Sequence, residues 1–270
     1  MNLLDNKQLK KLILDASDCL QIEPGYIEKD YYITLLLSEL VKLVPNLVFK
    51  GGTSLSKCHK VINRFSEDVD LTLDHNYWTV GPKKNLKNSI VRFCEQFNIN
   101  LLNFEEIRSR RDYNLYKIKY PIMFPSMIVN PNLLVETTYI SKAYPFEICK
   151  CSSIIYDYLK ETKNDHIIEL YNLEPFDMNV QTLDRTLVDK VFAICDYMIS
   201  GKTERLSRHI YDIYQLLKMI KINLSKSLLV ISIFLRNARW CGIFGKFGET
   251  GVAVWDVIDV LKKKICRDVI

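Results

Sequence analysis

The sequence predicts an α+β fold, with an α+β half first and a mainly helical half after it. Three observations carry this. Short apolar runs at 47–50 and 69–73 are set off by glycine or polar residues, and 116–120 alternates with period two, as strands do. Long stretches at 5–20 and 24–43 repeat their apolar residues with helical spacing. Beyond residue 154 the helical pattern takes over. The expected division is 1–150 for the first part and 151–270 for the second, joined somewhere near 140–180.

Taken in order, residues 5–20 place Leu9, Leu12, Ile13, Ala16 and Leu20 on one helical face. The next helix spans 24–43, and Pro24 suits its first turn, where a missing N–H does no harm. A short strand at 47–50 leads into a helix at 53–62, a strand at 69–73 and a helix at 83–97. From 99 to 139 the chain is β-like, with strands at 116–120 and 133–139 and punctuation by Pro121, Pro125 and Pro131. Helices are then expected at 154–163, 184–200, 204–221, 225–237 and 252–265. Four of the nine glycines fall between Gly242 and Gly251, a stretch that lacks the Lys-Ser/Thr ending of a P-loop and reads as a loop.

Composition narrows the function classes. With 270 residues, 48% hydrophobic and 26% charged, the chain is long enough for a sizeable core. No run approaches 18 apolar residues, so no membrane span is expected. The first residues carry acids and polar groups where a signal peptide would be apolar, which points to a cytoplasmic protein. None of the eight cysteines forms CxxC. Cys149 and Cys151 would share a strand face, but no second pair answers them, so neither a zinc site nor a disulfide framework is expected. The four histidines show no metal-ligand spacing, and serine or cysteine hydrolase chemistry has little support. The net charge of +5 is compatible with a nucleic-acid partner without requiring one. Arg108, Arg110, Arg111, Lys117 and Lys119 interleave with Tyr113, Tyr116 and Tyr120, and Lys262-Lys263-Lys264 lies near the C-terminus. Such stretches can track a phosphate backbone and stack bases, or form a solvated strand face.

The chemistry concentrates between Phe49 and Leu73. Gly51-Gly52-Thr53-Ser54 stands between a strand and a helix. Glycines there let a ligand approach the backbone, the helix end favours an anion, and Ser54 can offer a hydroxyl to a phosphate. The same residues also read as an ordinary N-cap after a glycine turn. Asp68 and Asp70 point to one face of the following strand, where two carboxylates repel unless a cation sits between them. Mg²⁺ takes a few carboxylate oxygens plus substrate phosphates. Two such ions would activate an attacking hydroxyl and stabilise a leaving pyrophosphate. A solvent-facing turn is the plainer reading of the pair. Glu136, in Leu134-Val135-Glu136-Thr137, is a third carboxylate in an apolar strand, or a surface glutamate on an alternating one.

A phosphate cradle, one helix, then a strand bearing DxD resembles the DNA polymerase beta-like nucleotidyltransferase superfamily. The resemblance narrows further. Ile27-Glu28-Lys29-Asp30-Tyr31-Tyr32-Ile33-Thr34 is similar to the "EKDYW-x-T" helix of the AbiEii/AbiGii toxin family. Phe49-Lys50-Gly51-Gly52-Thr53-Ser54-Leu55 is similar to its glycine motif, and Arg64-Phe65-Ser66-Glu67-Asp68-Val69-Asp70-Leu71 to its "R-x-SEDIDL" segment. Asp184-Arg185-Thr186-Leu187-Val188-Asp189-Lys190 resembles "ERTxxEK", and Arg208-His209-Ile210-Tyr211-Asp212-Ile213-Tyr214 resembles "RHYYDLY". The matches run in family order over 27–215; the last fifty residues carry no such motif. The chain departs from the pattern at Tyr32, where the family has tryptophan, and at Asp189, where it has glutamate.

The resemblance implies a nucleotidyltransferase-fold mixed sheet with flanking helices, completed into a cleft by the helical part. It implies that Asp68 and Asp70, with Glu136, bind Mg²⁺ or alternatively Mn²⁺. Gly51, Gly52, Thr53 and Ser54 would hold the triphosphate of an NTP. Lys190 and Asp212 would be essential, the lysine neutralising phosphate charge and the aspartate orienting it or touching the nucleotide. A helix-surface lysine and an Asp212–Arg208 pair are the structural alternatives. Glu28, Lys29 and Asp30 either face the site or lock their helix to the core by ion pairs, and the second is preferred. The implied activity is that of a monomeric bacterial toxin. It would transfer a nucleotide from an NTP to an RNA, the tRNA 3′ end, and so block translation, with an antitoxin from the same operon as partner. A protein acceptor for a nucleotide or phosphate, or a non-catalytic nucleotide- or RNA-binding module, are the alternatives.

Overall fold

The computed structural model describes residues 5–199 and 206–220. The helices expected at 225–237 and 252–265, the glycine-rich loop and the C-terminal lysines lie outside the described residues. The chain forms two compact units, Met1–Thr182 and Leu183–Ile270. The boundary falls later than residue 150 because two strands beyond that point, or ending just past it, join the first unit's sheet.

In the first unit, helices α1 (Asn6–Leu20) and α2 (Pro24–Leu43) precede strand β1 (Leu47–Lys50), helix α3 (Gly51–Lys57) and strand β2 (Asp68–Leu73). Helix α4 (Val80–Gln96) leads to strands β3 (Asn100–Leu101), β4 (Tyr113–Lys119), β5 (Leu133–Thr138) and β6 (Phe146–Cys151). Helices α5 (Ile154–Glu161) and α6 (Asp165–Tyr171) and strand β7 (Phe176–Gln181) close the unit. Helix α3 stops at Lys57, short of the expected residue 62. The Cys58 and His59 amides both bond back to the Ser54 carbonyl, and Lys60 then takes a left-handed φ of 55°, which ends the helix.

The seven strands form one mixed sheet in the order β3-β4-β5-β2-β1-β7-β6. β1 runs antiparallel to β2 and parallel to β7, while β2 runs parallel to β5. Alternation then sorts the side chains. Phe49, Val69, Leu71, Val135, Ile118 and Val180 face a core shared with α1, α2, α4 and α5. Lys50, Asp68, Asp70 and Glu136 point to the opposite face. Each fully buried aliphatic side chain in such a core contributes about 1.5–3 kcal/mol.

Helix α2 is buried along most of its length, including Glu28, Lys29 and Asp30. Each of these charges has its own partners. Glu28 accepts from the amides of Met123 (2.7 Å) and Phe124 (3.0 Å). Lys29 Nζ donates to Glu67 (2.7 Å) and to the Asn130 carbonyl (2.9 Å). Asp30 forms an ion pair with Lys57 and accepts from the Ile154 amide at the start of α5 (2.8 Å). The triplet is therefore a lock, tying α2 to the 121–130 loop, to α3 and to α5. No described helix is long and apolar enough to cross a membrane; α2 has the length, but these charges disqualify it.

Burial pushes the Glu28 carboxyl above its ordinary 4.5, against the opposing pull of its two amide bonds. A raised folded-state value gives stability that is complete below about 4.5 and is lost as pH rises through that raised value. The urea midpoint of the natural chain is therefore expected to rise relative to Glu28→Gln as pH falls from neutrality towards 5; parallel profiles would refute this.

The second unit is described through helices α7 (Leu183–Ile199) and α8 (Leu206–Ile220), which pack on each other.

Candidate active site

Strand β1 delivers the chain to Gly51 at a positive φ of 77°. A Cβ there would lie 1.9 Å from Oδ2 of Asp70, so only glycine lets this turn pass the carboxylate. Asp70 stands opposite Lys50 on β1 and opposite Glu136 on β5. Asp68, two residues earlier, pairs with Leu134 and shares the face. The register thus brings together Asp68, Asp70 and Glu136, separated by 66 residues of sequence at the Asp70–Glu136 pair. Gly51→Ala is expected to lose most activity and about 1–3 kcal/mol of stability, read by a transfer assay and urea denaturation.

Helix α3 holds the other half of the arrangement. The N–H groups of its first turn have no partner within the helix. The Thr53 hydroxyl donates to the Asp68 carbonyl and lies 3.0 Å from the Ser66 hydroxyl. The Ser54 hydroxyl, fully buried, donates to the Gly51 carbonyl (2.8 Å). Both side chains brace the turn, which leaves backbone N–H groups as the donors that Gly52, Thr53 and Ser54 present at the helix start. Glu67 turns away from Asp68 and takes the Lys29 ammonium and the Asn130 amide (3.0 Å).

Two residues of this face were not placed beside the carboxylates by the sequence. Lys50 is one. Tyr113 on β4 is the other: its phenol hydrogen-bonds Glu136, and burial followed by the charges of Glu136 and Asp70 pushes its pKa up. The β4 alternation separates the basic and aromatic stretch. Tyr113, Lys117 and Lys119 lie on the carboxylate face and are exposed. Tyr116 and Tyr120 are buried in the core and stack on no base.

In the second unit, Lys190 Nζ lies 2.9 Å from Asp212, whose side chain is fully buried. Arg185 pairs with Asp189 one turn along α7 at 2.7 Å. The Lys190–Asp212 pair fixes the ammonium in place, since truncating either partner would leave a charge in low dielectric.

A family model described as "Nucleotidyl transferase AbiEii toxin, Type IV TA system" matches residues 35–251, well over half of the chain. The match begins inside α2, after the Glu28-Lys29-Asp30 lock, and runs past the last motif of α8. No curated protein matches the chain.

Proposed function

From the premise that this chain belongs to the AbiEii family of nucleotidyl transferase toxins of type IV toxin–antitoxin systems, we propose that it transfers a nucleotide from an NTP to an RNA acceptor, the tRNA 3′ end. An acceptor hydroxyl attacks the α-phosphorus, the bond to the β-phosphate oxygen breaks, and pyrophosphate leaves. Transfer to the 3′ end blocks aminoacylation and stops translation. The observation that carries the reading is the in-register Asp70–Glu136 pair, with Asp68 on the same face and Gly51 against the Asp70 carboxylate.

Asp68, Asp70 and Glu136 are the residues that would hold Mg²⁺ or Mn²⁺: an all-carboxylate set suits a hard divalent ion. Such an ion would supply charge neutralisation at the triphosphate and would favour ionisation of the attacking hydroxyl. Gly51 provides the close approach, and the backbone N–H groups of Gly52, Thr53 and Ser54 hold phosphate oxygens. Lys190, held by Asp212 in the second unit, is a residue on which transfer depends. Lys117 and Lys119, on the same face as the carboxylates, lend charge to an RNA backbone. The antitoxin of the system is the expected macromolecular partner, and the protein acts as a cytoplasmic monomer.

The test is purified protein with Mg²⁺, total tRNA and each of the four α-labelled NTPs, beside Asp70→Asn and Lys190→Met. Label entering tRNA only with both residues intact supports the reading, and chelation should abolish it. Label in a protein band instead would move the acceptor to protein. Labelling that persists in Asp70→Asn would refute the assignment of the site.

A further inference from the structure

The end of α3 and the edge strand β6 bring together residues far apart in sequence. His59, Glu147 and Cys149 each offer one ligand atom, and these atoms all lie within 4.8 Å of one another. Glu147 and Cys149 are two apart on β6 and so share a face. In register they stand beside Val180 and Met178, on the opposite side of the sheet from Asp70 and Glu136. His59 lies two residues past the end of α3 and has a side chain only 6% exposed.

The imidazole is oriented for ligation. Its Nε2 lies 2.9 Å from the Gln181 carbonyl, which can only accept, so Nε2 carries the hydrogen and, in the neutral ring, Nδ1 has the lone pair. Nδ1 lies 3.9 Å from the Glu147 carboxylate. That is too long for a hydrogen bond and about half an ångström more than the ~3.4 Å between two such ligands on one tetrahedral ion, a closure within reach of the exposed Glu147 side chain. Metal-bound histidines ordinarily hold their second ring nitrogen to a carbonyl or carboxylate in this way. The nearby Cys58 thiol hydrogen-bonds Cys151 instead.

We propose that His59 Nδ1, Cys149 Sγ and a Glu147 carboxylate oxygen form a binding site for a thiophilic divalent cation of the zinc class. Imidazole, thiolate and carboxylate together favour such an ion over Mg²⁺. Binding releases the thiol proton of Cys149. Three protein ligands leave a fourth position for water, and the exposed Glu147 places that position at the surface. The ion would pin the end of α3 to β6.

The experiment uses the full chain, reduced and chelator-stripped, titrated with Co²⁺ and followed by its thiolate-to-cobalt charge-transfer absorption. One equivalent is expected, displaced by Zn²⁺ and unaffected by excess Mg²⁺. Cys149→Ser should abolish the band, and His59→Gln and Glu147→Gln should each weaken binding about tenfold or more. Cys19→Ser and Asp70→Asn should leave it intact, the latter separating this site from the carboxylates of the opposite face. Circular dichroism identifies any variant that fails to fold, and the remaining ligand variants then decide. Absence of the band, or a band that survives both Cys149→Ser and His59→Gln, would overturn the proposal.

Discussion

Asp70→Asn is expected to lower nucleotide transfer about a thousand-fold, at the upper end of what removing one electrostatic group costs. The amide keeps the volume beside Gly51 but cannot supply the negative charge that a bound divalent cation would need. Because Asp70 is only partly buried, thermal and urea midpoints should stay within about 0.5 kcal/mol of the natural chain. The pairing of lost activity with kept stability is the informative result. A comparable loss of both would mean that Asp70 serves the fold through the Gly51 turn, and near-normal activity would remove it from the chemistry.

The largest stability effect should come from the other face of the sheet. Asp30→Ala removes the partner of the buried Lys57 ammonium and the acceptor of the Ile154 amide in one change. Breaking a buried ion pair from one side costs about 3–5 kcal/mol, a large part of a typical domain's stability. The double variant Asp30→Leu/Lys57→Met should recover part of that loss, because no charge is then left without a partner. Urea denaturation of the single and double variants measures this directly. A double variant no more stable than the single would mean that the helix-end contact at Ile154 dominates over the pair.

Much of this was legible in the sequence where the information is local. Strand β1, the glycine turn and DxD follow one another within a short stretch, so periodicity and residue type suffice. The lock at Glu28, Lys29 and Asp30 was legible as a choice, since three charges in an apolar helix must find partners. Strand β7 was not, and β6 only as the strand face that Cys149 and Cys151 would share. On β6, an edge strand, Glu147, Ile148 and Lys150 are exposed, and no clean alternation of apolar and polar residues survives. β7 reads Phe-Asp-Met-Asn-Val-Gln, with polar residues at half its positions. Register decided the rest. Tyr116 and Tyr120 differ from Tyr113 by the face to which they point, which composition cannot reveal. The companion that Cys149 lacked in sequence arrives from His59, through the end of α3.

The strand order has a consequence for a chain made from its N-terminus. β1 lies between β2 and β7, and β7 ends at Gln181. Both aspartates, the glycine turn and Glu136 have left the ribosome while β1 still lacks one neighbour and its backbone groups on that side have no sheet partner. Completion of the sheet on that side of β1 therefore waits on a pairing that spans about 130 residues, a non-local step. The nascent toxin carries its carboxylates early but completes the sheet around them only after the whole first unit has been synthesised.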